Sequence, residues 1–330
     1  MATIIDVAKE AGVSTATVSR VMNGSGMVSD AAREAVREAA GRLGYKLEPK
    51  MHKESVDKAI LVIGSIQMPN LEEAIIDAAV SENISPVFIY AQSTPADDLY
   101  LNGTIRLLEK NLVGIITTGD PSWFSGIKLN IPAGIPLVAT SEDPADERIY
   151  YVGSDNIRIG YDATQYLIRQ GCRRIASVAA VNDRIHARKM IQGYQLALLE
   201  NGITPDPSLC YEEDFVRRIS GEDPVAPLMA QIDPASPPDG VFCVIDLMAD
   251  DIYDALAGLG LKVPEDVKIA AVGRGDFYSD TKKRFPLPLI ENDYEAIGRE
   301  AVKKIISLYA SGEEGDGALR TLVRHRPIEE

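Results

Sequence analysis

The segment between Ser14 and Asn23 has residue types and a spacing that suit contact with the edges of DNA bases. If it is helical, Val18 turns inward and the outward face carries Thr15, Ala16 and Arg20. An arginine can donate two parallel hydrogen bonds to guanine O6 and N7, while short side chains allow close approach or contact with a thymine methyl group. The segment therefore predicts a surface that recognises double-stranded DNA.

Three short helices are predicted to position this surface. Each begins after a residue whose hydroxyl can accept a hydrogen bond from the free N–H groups of a first helical turn. The three capping residues are Thr3, Ser14 and Ser29. Asp6 places a negative charge in the first turn of the first helix, where the helix dipole favours it. Gly12 is expected to end that helix, and Gly44 marks the end of the third.

The connection between the first two helices has the spacing of a helix-turn-helix. Ala8 supplies the small residue at the helix crossing, Gly12 the turn with positive φ, and Val18 the apolar residue that fills the core. An ordinary three-helix cap is the alternative, because capped amphipathic helices are common.

The lactose-repressor (LacI/GalR) family of bacterial transcription regulators has a signature that closely resembles residues 13–23, VSTATVSRVMN. The resemblance implies a helix-turn-helix domain of residues 1–46 whose second helix lies in the major groove of an operator. It also implies that Thr15, Ala16 and Arg20 contact base edges. The expected phosphate anchors or caps, which set the register, are Thr3, Ser14, Thr17, Ser19 and Asn23.

Charge is distributed unevenly along the chain. The whole sequence carries a net charge of −15, but residues 1–50 sum to +1 and the remaining 280 residues to −16. A nearly neutral head predicts weak non-specific binding to DNA, because phosphate neutralisation by cations drives that binding. Since one short recognition helix contacts only a few base pairs, we expect a homodimer that places two heads on one duplex.

Composition restricts the remaining classes. The sequence is 45% hydrophobic and has no run of about eighteen apolar residues, so we expect neither a membrane nor a secreted protein but a cytoplasmic, nucleoid-associated one. Its three cysteines are widely spaced and are expected to be buried thiols, with no metal site and no cofactor. Motifs of enzymes with a doubly wound fold, such as G-x-G-x-x-G or a P-loop, are not found.

From about residue 59, apolar strands alternate with amphipathic helices. This alternation predicts an α/β core of two lobes, each a doubly wound parallel sheet, with a ligand cleft at the carboxyl ends of the strands. The expected strands are residues 59–66, 86–90, 114–118 and 136–140 in the first lobe, and 174–180, 209–211, 240–245 and 267–272 in the second.

The same family has a periplasmic-binding-protein-like core, which the body resembles. The matching runs are Gly153–Gly160, Gly171–Ala176, Gly193–Leu198, Phe242–Ala249 and Val263–Val267. The resemblance implies an effector-binding and dimerisation core of residues 59–330. Its N-lobe is expected at about 59–154 and 291–311, and its C-lobe at about 155–290 and 312–330.

The resemblance also implies a ligand cleft between the lobes. The candidate cleft residues are Ser65, Thr118, His186, Met190, Phe215, Asp246, Arg274, Asn292 and Tyr294. Sugar-binding family members have an arginine where Met190 stands and an aspartate where Gly275 stands. Because this pair that binds sugar hydroxyls is missing, we expect that any effector is not a neutral sugar of the usual kind.

Several cleft candidates have an ordinary structural alternative. Asp246 follows a predicted strand and precedes a helix, so it could simply cap that helix. Phe215 could belong to the core and His186 to the surface. Arg274 lies between two glycines and could present a cation to an anionic ligand or pair with Asp246.

The linker of residues 47–58 departs from the family pattern. Family members carry an Ala-rich hinge helix whose leucine inserts into the minor groove and bends the operator. Here the segment is polar, and the candidate minor-groove contacts are Lys50, Met51 and Lys53. A linker that stays flexible would weaken the coupling between cleft and DNA.

These observations support two alternative functions. The first is a dimeric DNA-binding regulator, a repressor by expectation, that binds a palindromic operator and responds to a small ligand in the cleft. The alternative is a DNA-binding regulator whose degenerate cleft leaves control to a protein partner.

Overall fold

The computed structural model describes residues 3–15, 17–18, 21, 29–45, 57–65, 67–91, 94–118, 129–141, 143–144, 149–180, 185–213, 220–273, 285, 287–312, 319–326 and 328. The chain forms two compact units, residues 1–57 and residues 58–330. Among the described residues, no helix is both long enough and apolar enough to span a membrane.

The smaller unit contains helices α1 (Ile4–Glu10) and α2 (Asp30–Arg42), and Thr15, Thr17, Val18 and Val21 are helical between them. The predicted caps are confirmed at both named helices. Thr3 and Asp6 form a reciprocal capping box on α1, and the hydroxyl of Ser29 accepts a hydrogen bond from the N–H of Ala32 on α2. Gly12 has the predicted positive φ, 64°.

The core of the smaller unit is built from small and β-branched residues, which lets the helices approach closely. Its buried members are Val7, Ala8, Val18, Val36, Ala39 and Ala40. Val18 is fully buried, as its predicted place in the helix-turn-helix requires.

The first lobe of the larger unit is a six-stranded parallel sheet in the order β11-β5-β4-β3-β1-β2. Its elements are β1 (Ala59–Gly64), α3 (Pro69–Ser81), β2 (Ser85–Tyr90), α4 (Pro95–Leu108), β3 (Leu112–Thr118), β4 (Leu137–Thr140), β5 (Tyr150–Ser154), α9 (Tyr294–Ser311) and β11 (Arg320–Val323). Alternate residues of β1 face opposite sides of the sheet. Ile60 and Val62 pack under α3 and α9, whereas Leu61 and Ile63 pack under α4.

The second lobe is a five-stranded parallel sheet in the order β10-β9-β8-β6-β7. Its elements are α5 (Asn156–Arg169), β6 (Ile175–Ala180), α6 (Ile185–Glu200), β7 (Cys210–Glu213), α7 (Val225–Gln231), β8 (Gly240–Cys243), α8 (Asp246–Gly258), β9 (Lys268–Val272) and β10 (Leu289–Ile290). Helices α5 and α6 cross at two glycines, Gly160 against the backbone of Met190 and Gly193 against the backbone of Ile157. The two sheets confirm the predicted fold class.

The chain crosses between the lobes near Ser154, near Asn292 and beyond β11. These segments lie side by side, since the N–H of Asp155 donates to the carbonyl of Val323 at 3.3 Å and the N–H of Arg326 donates to that of Glu291 at 2.8 Å. The Ser154 hydroxyl donates to the side-chain oxygen of Asn292 at 2.6 Å. Together these bonds form a hinge of neighbouring backbone segments.

One predicted boundary is wrong. Residues 312–330 were expected in the C-lobe, but β11 pairs with the edge of β5 in the first sheet along its whole length. Of the described residues after β11, Ile328 packs against the core of the second lobe. The physical reason is that a sheet edge with unpaired backbone groups favours pairing with a strand, which composition alone does not reveal.

Candidate DNA-binding surface and ligand cleft

Of the three residues predicted to contact bases, the structure describes Thr15. Thr15 is helical and exposed, and the fully buried Val18 lies three residues further along the same helix. This is the arrangement in which a buried residue fixes a helix while its outer face is free to enter a groove. Ala16 and Arg20 lie outside the described residues.

Two of the predicted phosphate anchors, Thr3 and Ser14, act as helix caps. The Thr3 hydroxyl donates to the carboxylate of Asp6 at 2.7 Å, and the oxygen of Ser14 accepts from the N–H of Thr17 at 3.1 Å. Hydrogen bonds from the side chain and backbone of Thr3 lower the pKa of Asp6, because they stabilise the charged carboxylate. Ser19 and Asn23, and the hinge candidates Lys50, Met51 and Lys53, lie outside the described residues.

The interlobe cleft lies between the carboxyl ends of the strands of the two sheets. An ion pair marks where the two edges meet: Lys189, in the second turn of α6, pairs with the carboxylate of Asp143, which follows β4. Ser65 and Thr118, at the ends of β1 and β3, lie on the first-lobe side and are 8% and 2% exposed. In parallel sheets the carboxyl ends of the strands are where a ligand cleft is predicted, and these residues lie there.

Asp246 is the first residue of α8 and is 1% exposed. The N-cap position belongs to Ile245, and no side-chain cap bond is made there, so the alternative that Asp246 caps this helix is wrong. Its carboxylate lies against the Cα of Gly273, close enough that a Cβ on residue 273 would overlap it. Gly273 therefore leaves space that Asp246 fills.

Acidic side chains that sequence reasoning missed surround the end of β8. Burial strongly raises the pKa of the Cys243 thiol, and the nearby carboxylates of Glu213, Asp251 and Asp246 raise it further. Glu213 ends β7 and Asp251 lies in α8. The acidic run of residues 250–251 and the acidic end of β7 were the available signals in the sequence.

The remaining cleft candidates have different positions. Met190 is 3% exposed, packs in the second-lobe core and places its backbone against Gly160, so it is a packing residue and does not line the cleft. His186 is half-buried in the first turn of α6. Asn292 belongs to the hinge through its bond with Ser154, and Tyr294 packs against the first-lobe core. The cleft candidates Phe215 and Arg274 lie outside the described residues.

Most apolar residues of α3 and α8 belong to the core and are not free to form a dimer surface. Leu71, Ile75 and Ala79 of α3 are fully buried, as are Ile252 and Leu256 of α8. The exposed apolar residues of α3 are Ile76 and Val80, which are 41% and 60% exposed. A groove of about 550 Å³ runs between α3 and α9 on the same side of the lobe.

Two family models match the chain. Residues 3–47 match the model of the bacterial regulatory proteins of the lacI family, and residues 164–329 match the model of a periplasmic-binding-protein-like domain.

Known proteins are similar over nearly the full length. The chain is 30% identical to the HTH-type transcriptional repressor CytR of Escherichia coli K12, with 96% of this chain and 92% of CytR covered. It is 29% identical to the HTH-type transcriptional regulator CelR of Thermobifida fusca, covering 98% and 96%. A solved structure described as a complex of the transcriptional regulator CelR with cellobiose has a TM-score of 0.63, with 29% identity and coverage of 100% and 99%.

These relatives are transcriptional regulators rather than enzymes. With a helix-turn-helix unit, a core of two parallel-sheet lobes and similarity along almost its entire length, the chain belongs to the LacI family of DNA-binding transcriptional regulators.

Proposed function

We propose that the protein is a homodimeric repressor that binds a palindromic operator and changes its affinity when a small ligand enters the interlobe cleft. The observation that carries the proposal is the capped head, in which Thr15 is exposed while Val18 is fully buried. The similarity to CytR, which is named a repressor, supports the sign of regulation. We propose that it acts in the cytoplasm.

Base recognition is proposed to depend on Thr15, Ala16 and Arg20, with phosphate contacts from Ser19, Asn23 and the capped N-termini of the helices. The linker residues Lys50, Met51 and Lys53 are proposed to approach the minor groove. Two heads are required, because a single nearly neutral head gains little from phosphate neutralisation.

The test starts with selection of bound sequences from random duplexes, followed by affinity measurements for wild type and Arg20→Ala. Losing a bidentate contact to guanine costs about 1–3 kcal/mol, which is roughly a 5-fold to 150-fold weaker binding to the selected site. Arg37→Ala is the matched control, because Arg37 is an exposed arginine of α2. Among the described contacts it pairs only with Glu34 of the same helix. Equal losses for the two variants would contradict base recognition by Arg20.

The dimer and the ligand are tested separately. Sedimentation equilibrium should give a mass of two chains, and selected sites should be palindromic. In a thermal-shift screen we expect neither hexoses nor cellobiose to stabilise the protein, since Met190 occupies the core where sugar-binding members have an arginine. Stabilisation by these sugars that is lost in Asp246→Ala would show that the cleft binds neutral sugars after all.

A further inference from the structure

The carboxylate of Asp143 is buried at the first-lobe edge of the cleft. Its side chain is 7% exposed, although it lies on a connection beyond the end of β4. A buried carboxylate is stable in its charged form only when cations or hydrogen-bond donors compensate the loss of water. The identity of those partners therefore decides what holds this edge of the cleft.

Among the described residues, two cations pair with Asp143, and they come from different lobes. The Nζ of Lys189, on α6 of the second lobe, pairs with Oδ2. The Nε of Arg320, on β11 of the first lobe, lies 2.9 Å from Oδ1. Each carboxylate oxygen thus lies beside its own cation, although the contact of Oδ1 with Arg320 lacks the geometry of a hydrogen bond. Of the two pairs, the one with Lys189 joins the two lobes.

The two cations differ in how firmly they are held. Arg320 is 25% exposed, donates from Nη1 to the carbonyl of Ile149 at 2.6 Å and lies 5.9 Å from the centre of the Tyr151 ring. Lys189 is 36% exposed at the solvent edge of α6. If the lobes separate, Lys189 becomes hydrated while Arg320 stays beside Asp143, because both belong to the first lobe.

We infer that Lys189 and Asp143 form a reversible ionic latch that holds the lobes together without a ligand, and that Arg320 makes opening inexpensive by keeping Asp143 compensated. Breaking a buried ion pair is costly when it leaves an unpaired charge, and here it leaves none. The latch lies across the cleft, whereas the bond between Ser154 and Asn292 lies at the hinge. Lobe closure is an intrinsic property of the chain in this scheme and does not depend on the proposed ligand.

The test measures the distance between the lobes in the full-length protein by double electron–electron resonance. Spin labels are placed at Glu109→Cys in the first lobe and Asn201→Cys in the second, both exposed positions, with Cys210→Ser to remove the exposed native thiol. Labelled protein is diluted with unlabelled protein so that distances within one chain dominate. Lys189→Met should raise the long-distance population about twofold to fivefold, the range expected of a partly exposed ion pair.

Lys110→Met is the matched control, because Lys110 is exposed and precedes β3 at the opposite edge of the sheet from the cleft. It should leave the distances unchanged, Lys189→Arg should restore them, and raising the salt concentration should move wild type toward Lys189→Met. Arg320→Met should lower thermal stability more than Lys189→Met does. Unchanged distances between the lobes in Lys189→Met, or an equal change in Lys110→Met, would refute the latch. If the distances respond as expected but the wild-type protein binds no operator, only the proposed operator function is refuted.

Discussion

Replacing Gly193 by alanine tests whether the crossing of α5 and α6 determines the stability of the second lobe. In an unobstructed helix, glycine to alanine stabilises by about 0.5–1 kcal/mol. At Gly193 a Cβ would overlap the carbonyl oxygen of Ile157, and it would lie 2.7 Å from the backbone nitrogen of Tyr161 and 2.9 Å from the carbonyl carbon of Ile157. Ordinary carbon contacts are about 3.5–4.0 Å, so the helices would have to separate by more than about 1 Å.

That separation is expensive because the obstructing atoms are backbone atoms and cannot rotate away. Overpacking of this kind costs about 1–3 kcal/mol, and a gap of this width weakens the dispersion contacts of both helices with the core. Because the overlapping atoms belong to the backbone, we take the upper end of that range, about 3 kcal/mol. After subtracting the gain of about 0.5–1 kcal/mol in helix propensity, we expect Gly193→Ala to destabilise by about 2 kcal/mol. At this size the melting temperature should fall by about 4 °C.

Gly103→Ala is the matched control, because Gly103 lies within α4 of the same unit and a Cβ there would meet nothing within 4 Å. It should stabilise by about 0.5–1 kcal/mol. Urea unfolding followed by circular dichroism measures both variants, with the midpoint and the slope fitted together. The reasoning is refuted if Gly193→Ala unfolds at the same urea concentration as wild type or a higher one.

Three further predictions follow from local contacts. The pKa of Asp6 in the folded protein lies below its ordinary value of 3.8, so the stability that the carboxylate gives α1 is present above pH 3.8 and is lost as the pH falls through the folded pKa. The NMR signals of α1 should report this loss of helix at low pH. Asp6→Asn should make the stability of α1 less dependent on pH. The expectation that all three cysteines are buried is wrong for Cys210, which is exposed. A thiol reagent should therefore modify one cysteine per native chain, Cys210, since burial raises the pKa of both other thiols; modification of all three would contradict the packing. Ser154→Ala should destabilise by about 1–3 kcal/mol by leaving the side-chain oxygen of Asn292 without its hinge donor, and a double variant that also replaces Asn292 should cost less than the sum.

Local patterns predicted much of the fold because they act within a few residues. The caps at Thr3 and Ser29 and the buried Val18 follow from side-chain type and spacing alone. The strand β1 begins at Ala59 as predicted, because a continuous apolar run between turn signals can only be buried.

Features that depend on distant residues could not be predicted in this way. β11 is a short mixed strand whose partner β5 lies about 170 residues earlier, so its place in the first sheet has no local signal. Lys189 stands beside Met190, the position that the family comparison favoured, yet Lys189 reaches the other lobe while Met190 is core. A helix turns by about 100° per residue, so neighbouring positions face different environments.

The late contribution of α9 and β11 to the first lobe has a consequence for synthesis. The second sheet is built from one continuous stretch that is complete at Ile290, whereas the first sheet still lacks β11, and its α3 face still lacks α9. As the chain leaves the ribosome, the second lobe can therefore close before the first, which reverses the usual order from N-terminus to C-terminus. Until α9 has emerged, the apolar face of α3 is exposed, and until residue 323 has emerged the edge of β5 is unpaired, so a chaperone is most useful to the nascent chain in this interval.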